Sequence, residues 1–489
     1  MIRRTAVNGM LAENVVETRT ARWFSCRVTS LKPLTAAIAQ LTADIKGRVI
    51  TPDDSGYDQT RVVVAGDVDR RPAVIVRPAG AADVACTVRL AAETGADLAV
   101  RSGGHSASGH GVCDDGIVLD LRDLRSLDVD IDGRTAWAQT GLTAGAYTAA
   151  VGAHGLATGF GDTGTVGIGG ITLGGGVGYL SRKHGLTVDD LLAAEIVTAN
   201  GEILQVDEHT HPDLFWAIRG GGGNFGVATR FRFRLHEVRT VVGGMLMTAA
   251  TPDVVAGFVA RAEAAPDELS TIVNVMAAPP MPFIPAEHHG KLIVMALMCY
   301  SGPADEGERV IAPFRELATP LADMVRPMAY PEIYPPEDAS YRPTAVGRTL
   351  FAESIDRDTA ETILDHLRSS DAVMRVAQLR VLGGAIARVP ADATAFAHRD
   401  RRIMVNVAAF FNGGDDRAKK LAWVTELAAA VRGEPGAYVN FLGDDGPQRI
   451  REAYPGATWD RLTAVKRRYD PTNLFRLNQN ILPRHRTGG

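Results

Sequence analysis

Glycine is concentrated in this chain, and that concentration limits what it can fold into. Three loops hold most of the density: RSGGHSASGHG from Arg101, GTVGIGGITLGGGVG from Gly164 and RGGGGNFG from Arg219. No comparable cluster follows Thr240. Glycine reaches φ > 0 at little steric cost and lets a backbone come close to a ligand. Successive N–H groups in such a loop form a nest for an anion such as a pyrophosphate. With 51 glycines in 489 residues, usage exceeds the ordinary value of about 7%. Clustered in this way, they point to ligand sites built from backbone and not to disorder.

The first loop sits between two short apolar runs. LAV at Leu98–Val100 and GIVLDL at Gly116–Leu121 read as buried strands, and His105 stands at the loop's centre. On the loop alone, a surface turn with an incidental histidine is the better reading. Upstream, LTAAIAQLTADIKG has helical spacing, PAVIVRP is a strand bounded by prolines, and ADVACTVRLAAETG is a helix closed by Gly95. This is an α/β unit. Downstream, Asp132-Gly133 and Asn200-Gly201 mark hairpins. From Thr240 to about Glu434 the character changes. GGMLMTA, LSTIVNVMAA, KLIVMALMCYSG and RIMVNVAAFFNG read as strands, and four amphipathic segments read as helices. An antiparallel sheet covered by helices is expected there. A strand YVNFL and a helix WDRLTAVKRRY follow before the chain ends.

Composition excludes several classes. A net charge of −5 with 22% charged residues gives no reason to expect nucleic acid or an anionic membrane as partner. No apolar run reaches the ~18 residues of a membrane span. The four cysteines (Cys26, Cys86, Cys113, Cys299) are scattered and form no CxxC pair. The first residues lack a continuous apolar stretch, Glu13 and Glu17 interrupting it, so no secretory signal is read and a cytoplasmic location is expected. Residues 1–34 are taken as an N-terminal extension.

Two nucleotide signatures fail. GGGNFG at Gly221–Gly226 matches GxGxxG in letters but follows a helix and opens a strand, the reverse of the dinucleotide order. GxxxxGK[ST] is absent. His105 and His110, with Asp114 and Asp115 nearby, fall short of a placed metal-ligand set, and no metal is expected.

RSGGHS, GTVGIGGITLGGGVGYLSRKHGLTVDDLL, PDLFWAIRGGGGNFGV and YDPTNLFRLNQNI occur in this order. Together they resemble the berberine bridge enzyme-like group of FAD-linked oxidases, within the vanillyl-alcohol oxidase or PCMH-type FAD fold. The resemblance spans about Thr35 to Pro483. It implies an α+β protein with a two-lobed FAD-binding domain (35–238), a substrate domain (239–435) of antiparallel sheet and helices, and a C-terminal segment (436–483) that completes the flavin site. It implies FAD joined to His105 by an 8α-histidyl bond, a hydrogen-bonded histidine being the alternative. Relatives with two flavin links carry a cysteine where this chain has Thr163, so a single link is expected. Arg101, Ser102, Gly103, Gly104 and Ser106 are expected to cradle the pyrophosphate. Gly167, Gly170, Gly174, Gly175 and Gly176 are expected to pass close to the cofactor. Ile196 and Val197 are expected on the adenine side, and Asn478 and Asn480 at the flavin ring or its adjoining loop.

Tyr438 matches a tyrosine that relatives place against the flavin, and it is the expected base. Its phenol would need a lowered pKa, and a packed aromatic is the alternative. Asn440 is expected to orient the ring or the base. A second tyrosine of the relatives is Phe441 here. The implied reaction is oxidation of a CH–OH or CH–NH group of a small molecule, with O2 reduced to hydrogen peroxide. A dehydrogenase with another acceptor, or a flavin-bearing binding protein, remains open at this point.

Overall fold

A computed structural model describes residues 34–483 apart from 337, 339 and 432. Most of the expected N-terminal extension therefore lies outside the described residues, but Leu34 already belongs to the first helix, Leu34–Asp44.

The first sheet runs β1 (Arg48–Ile50), β2 (Val74–Arg77), β4 (Ile117–Asp120), β3 (Leu98–Arg101) across its width. Val74, Ile75, Val76, Ile117, Val118 and Leu119 are fully buried. Such continuous apolar runs suit strands covered on both faces. The helix Ala81–Thr94 connects β2 to β3 and ends at Gly95, whose φ of 69° closes it. β3 and β4 are parallel neighbours, so residues 102–116 must carry the chain back along the sheet. That return is the first glycine loop.

The second sheet is antiparallel. Its order is β5 (Leu127–Asp130), β6 (Thr135–Gln139), β10 (Val227–Arg234), β8 (Leu191–Val197), β9 (Ile203–Asp207). Both expected hairpins form, β5–β6 and β8–β9. In β10 Phe231 and Phe233 are buried while Arg230 and Arg232 lie toward solvent, the alternation of a half-buried strand. Phe233 meets Tyr147 and Phe160 edge-on, with centroids 5.7 and 5.6 Å away. A short pair, β7 (Leu156–Ala157) with β11 (His236–Glu237), leads out of this lobe.

The third sheet has nine strands: β12 (Thr240–Ala249), β13 (Leu269–Ala277), β14 (Leu292–Tyr300), β15 (Pro320–Asp323), β16 (Arg326–Ala329), β17 (Ala345–Ala352), β18 (Arg375–Val381), β19 (Ile403–Phe410) and β20 (Gly433–Glu434). Alternation divides its faces. Val405, Val407, Leu379 and Val273 pack under the helices Pro252–Ala264, Arg357–Ser369 and Gly414–Ala430. Met404 and Phe351 on the other face pack against Val177 and Tyr438.

The C-terminal section contains one departure. YVNFL is not a strand: Phe441 N–H donates to the Tyr438 carbonyl at 2.9 Å and Leu442 N–H to Val439 at 3.3 Å, making a single 3-10 turn over Val439–Phe441. The turn forms where the segment packs against Gly174–Gly176 in place of a partner strand. The helix Ala457–Tyr469 follows. Its Lys466 is fully buried, and the ammonium donates to Asp470 (2.7 Å) and to the carbonyls of Asn224 (2.9 Å) and Phe475 (2.8 Å). Leu474 and Phe475 then enter the core of the first sheet.

Candidate active site

A cavity of about 900 Å³ lies where all these parts meet. The His105 loop, Gly167–Leu173, Gly222–Ala228, Tyr438–Leu442 and Phe475–Gln479 supply one wall, and the third sheet faces them. Two glycine loops touch at its edge. A Cβ on Gly103 would stand 2.3 Å from the Gly167 backbone nitrogen, so any side chain at either position drives the loops apart. Ser102 joins the same loops, donating to the Thr140 carbonyl at 2.5 Å and accepting from Gly169 N–H at 3.2 Å.

Eleven of the expected site residues stand on the cavity wall: Arg101, Ser102, Gly103, Gly104, His105, Ser106, Gly167, Gly170, Tyr438, Asn440 and Asn478. Arg101 contributes its main chain. Its guanidinium is buried and donates to Asp120 at 2.9 Å and to the Thr60 carbonyl at 2.7 Å. Burial alone would raise the Asp120 carboxyl, but Arg101 and Arg122 hold it at about 2. Arg101 thus pins the base of the loop. His105 is half-buried on the wall. His110 is half-buried there too, and desolvation, reinforced by Arg70, lowers its imidazole to about 4, so it is neutral.

Six expected residues are not on that wall; one of them, Ile196, is buried in the core of the second sheet. Gly174 lies under Asn440, and an added Cβ would come 2.0 Å from Asn440 Oδ1. Gly175 lies under Phe396 and Tyr438, and Gly176 under Thr187. These three glycines admit neighbouring side chains. Val197 is fully buried in the first-sheet core, where its carbonyl meets Gly226, and Gly226–Ala228 line the cavity in its stead. Asn480 stands one residue beyond Gln479, where the wall ends.

Tyr438 Oη accepts hydrogen bonds from Gly176 N–H and Asn440 Nδ2, both at 2.9 Å. Asn440 is held by a second donation to the Ile171 carbonyl at 3.1 Å. The expected lowering of the phenol is reversed: burial pushes Tyr438 up, outweighing the Asn440 and Gly176 donors. Cys113 is buried off the wall, its thiol pushed up to about 12 by burial.

Residues that no sequence pattern marked complete the site. Arg380 on β18 donates to Asp162 at 2.6 Å, to the Val177 carbonyl at 3.2 Å and to Gln378 at 2.9 Å, with Phe441 beneath its guanidinium. Asp162 and Thr163 share the wall with Asn406, Gly347 and Ala408. Singly, these are ordinary polar and small residues; only strand register gathers them.

The cavity suits FAD. Gly170 and Gly223 line it, and a Cβ on either would meet nothing within 4 Å. Asn478 Oδ1 is buried without a partner among the described residues, while its Nδ2 donates to Gly223 and Phe475 carbonyls. Among these residues no cluster of three or more His, Cys, Asp or Glu side chains is arranged to hold a metal. No described helix is long and apolar enough to cross a membrane.

Comparison with known proteins agrees with this geometry. A family model described as FAD binding domain matches residues 72–207, and one described as Berberine and berberine like matches 437–482. (R)-6-hydroxynicotine oxidase of Paenarthrobacter nicotinovorans is 32% identical over 90% of this chain and 97% of its own length. The chain belongs to the berberine bridge enzyme-like FAD-linked oxidases. The solved structure of 6-hydroxy-D-nicotine oxidase from Arthrobacter nicotinovorans aligns with this berberine bridge enzyme-like fold at a TM-score of 0.81 and 29% identity, covering 93% of this chain and 99% of that one. The xylooligosaccharide oxidase of Myceliophthora thermophila aligns at 0.80 and 25%, covering 92% and 100%. As a member of this family, the protein is an FAD-linked oxidoreductase.

Proposed function

We propose that the cavity holds one FAD, attached through His105 alone, and that Tyr438 serves as base in oxidising a CH–OH or CH–NH group of a small molecule. The observation that carries this is the meeting of the His105 loop, the Tyr438 turn and the third sheet around one space. Held by His105 and the main chain of Arg101–Ser106, FAD would supply the two-electron sink for oxidation of the substrate C–H, with O2 as final acceptor giving hydrogen peroxide.

The chain's own groups do the rest. The main chain of Arg101–Ser106, with Gly167 and Gly170, offers N–H groups and space for a pyrophosphate. His105 is the nucleophile for the tether, and Thr163 offers no sulfur for a second one. Tyr438 Oη accepts the substrate's O–H or N–H proton as the C–H electron pair leaves. Its two fixed donors, Asn440 and Gly176, stabilise the negative charge that would form on the oxygen, an arrangement set before reaction. Burial keeps the resting phenol protonated, so only its ionised form can take that proton, and that form gains population as pH rises. The hydroxynicotine and oligosaccharide oxidases among the relatives support small organic substrates. We assign residues 35–238 and 436–483 to flavin binding and 239–435 to substrate binding.

The test is direct. Precipitation in acid should leave yellow colour on the protein, and Tyr438→Phe should retain that colour while lowering kcat by about 10²–10⁴. Normal turnover by Tyr438→Phe on a substrate the parent oxidises would remove the base assignment.

A further inference from the structure

We infer that Asn406 and Gly347 select the substrate through a neutral hydrogen-bonding group, a hydroxyl or carboxamide, carried on a flat body. The inference rests on the flavin-oxidase reading above. It starts from strand register. Asn406 on β19 is paired with Thr349 on β17 and with Gln378 on β18, and Gln378 with Asn274 on β13. Directly opposed residues share a face, so three amides form one row on the cavity side. Arg380, two residues from Gln378, shares that face.

Most of the row is closed to a ligand. Gln378 donates through Nε2 to Asn274 Oδ1 at 2.9 Å and accepts at Oε1 from Arg380 Nε at 2.9 Å. Arg380 donates also to Asp162 and the Val177 carbonyl. A carboxylate substrate would meet a cation already neutralised by Asp162. Asn406 differs. It lines the cavity, and among the described residues its side chain makes no hydrogen bond. An amide offers two donors and one acceptor; a hydroxyl or carboxamide can meet both kinds, a carboxylate meets only the donors and must bury its charge, and a methyl meets neither.

The adjoining residues give the shape. Gly347 and Ala408 are register partners beside Asn406, and Ala345 lies two residues on, so this stretch of wall is nearly without side chains. A Cβ on Gly347 would lie 3.7 Å from Asn406 Oδ1 and 3.8 Å from Ala408 Cβ, with Val407 O slightly tight at 3.3 Å. Its φ is outside the left-handed region. The fold itself therefore places little demand for glycine here, and the space serves a flat ligand sliding past the sheet to the amide.

The probes are four benzyl alcohols with hydroxyl, carboxamide, methyl or carboxylate at the para position. Each is titrated anaerobically into the purified holoprotein, and binding is read from the flavin absorbance difference. The hydroxyl and carboxamide probes should bind about tenfold more tightly than the other two, the size expected of one neutral hydrogen bond. Asn406→Leu should erase that preference with the free-protein flavin spectrum unchanged. Gly347→Val should weaken all four probes. The inference is overturned if the carboxylate binds best, if Asn406→Leu keeps the preference, or if none of the probes perturbs the flavin at millimolar concentration. Protein purified without FAD would instead defeat the flavin reading, so the two failures are distinct.

Discussion

Replacing Gly174 by alanine sets a methyl group against the Asn440 amide. The backbone there is ordinary right-handed, with φ −97° and ψ −1°, so alanine brings no backbone strain. The cost is contact. The new Cβ would lie 2.0 Å from Oδ1 and 2.5 Å from Cγ of Asn440. Asn440 must move, and it holds two hydrogen bonds, to Ile171 O and Tyr438 Oη. Losing both costs about 1–3 kcal/mol. Overpacking adds about 1–3 kcal/mol, so Gly174→Ala should destabilise by about 2–6 kcal/mol. Asn440→Ala loses the bonds without the clash and should cost about 1–3 kcal/mol. The double variant gives the methyl its space back and should match Asn440→Ala, a coupling of about 2–6 kcal/mol in favour of the pair. Urea unfolding followed by circular dichroism measures all three. Additive costs would refute the claim that Gly174 is glycine for the sake of Asn440.

Other expectations follow from the same coordinates. His105→Ala should yield protein whose FAD is absent or released by acid; colour that stays covalently attached in that variant defeats the tether. Burial raises the Tyr438 phenol, so its ionised form gains population only above the ordinary value near 10; kcat/KM should climb with pH through the alkaline range without levelling below about pH 10, and Tyr438→Phe should flatten the slope. A plateau at pH 8 in the parent would contradict this. Lys466→Met strands the buried Asp470 carboxylate and should cost about 3–5 kcal/mol, together with a loss of FAD retention, because Lys466 also ties Asn224 and Phe475 at the cavity wall; unchanged thermal stability would disprove that role.

Local signals in the sequence carried far. The parallel strands around the His105 loop, the turns at Asp132-Gly133 and Asn200-Gly201, and the alternation of VATRFRFR are each decided by a few neighbouring residues. GGGNFG lies between the helix Pro212–Ile218 and β10, the order that argued against a dinucleotide fold. Gly174–Gly176 show the limit of such reading. Glycine signals close approach but does not say whether a ligand or a side chain approaches, and here Asn440, Phe396, Tyr438 and Thr187 do. YVNFL carries strand-forming residues, yet tertiary packing makes it a turn. Arg380, Asp162 and Asn406 were illegible for another reason: Arg380 and Asp162 are 218 residues apart, and a loop contact and the register of β18 on β19 bring the three together.

The wall of the cavity draws on Asp67 at one extreme and Gln479 at the other. During synthesis, then, the cofactor has nowhere to settle until residues 475–479 have left the ribosome and Asn224 has received them, through its donation to Gln479 O at 3.1 Å and its acceptance from Ile481 N–H at 2.9 Å. Loading with flavin must be a late event in the protein's life, and a chain stopped after Leu442 should emerge colourless however well its earlier sheets have formed.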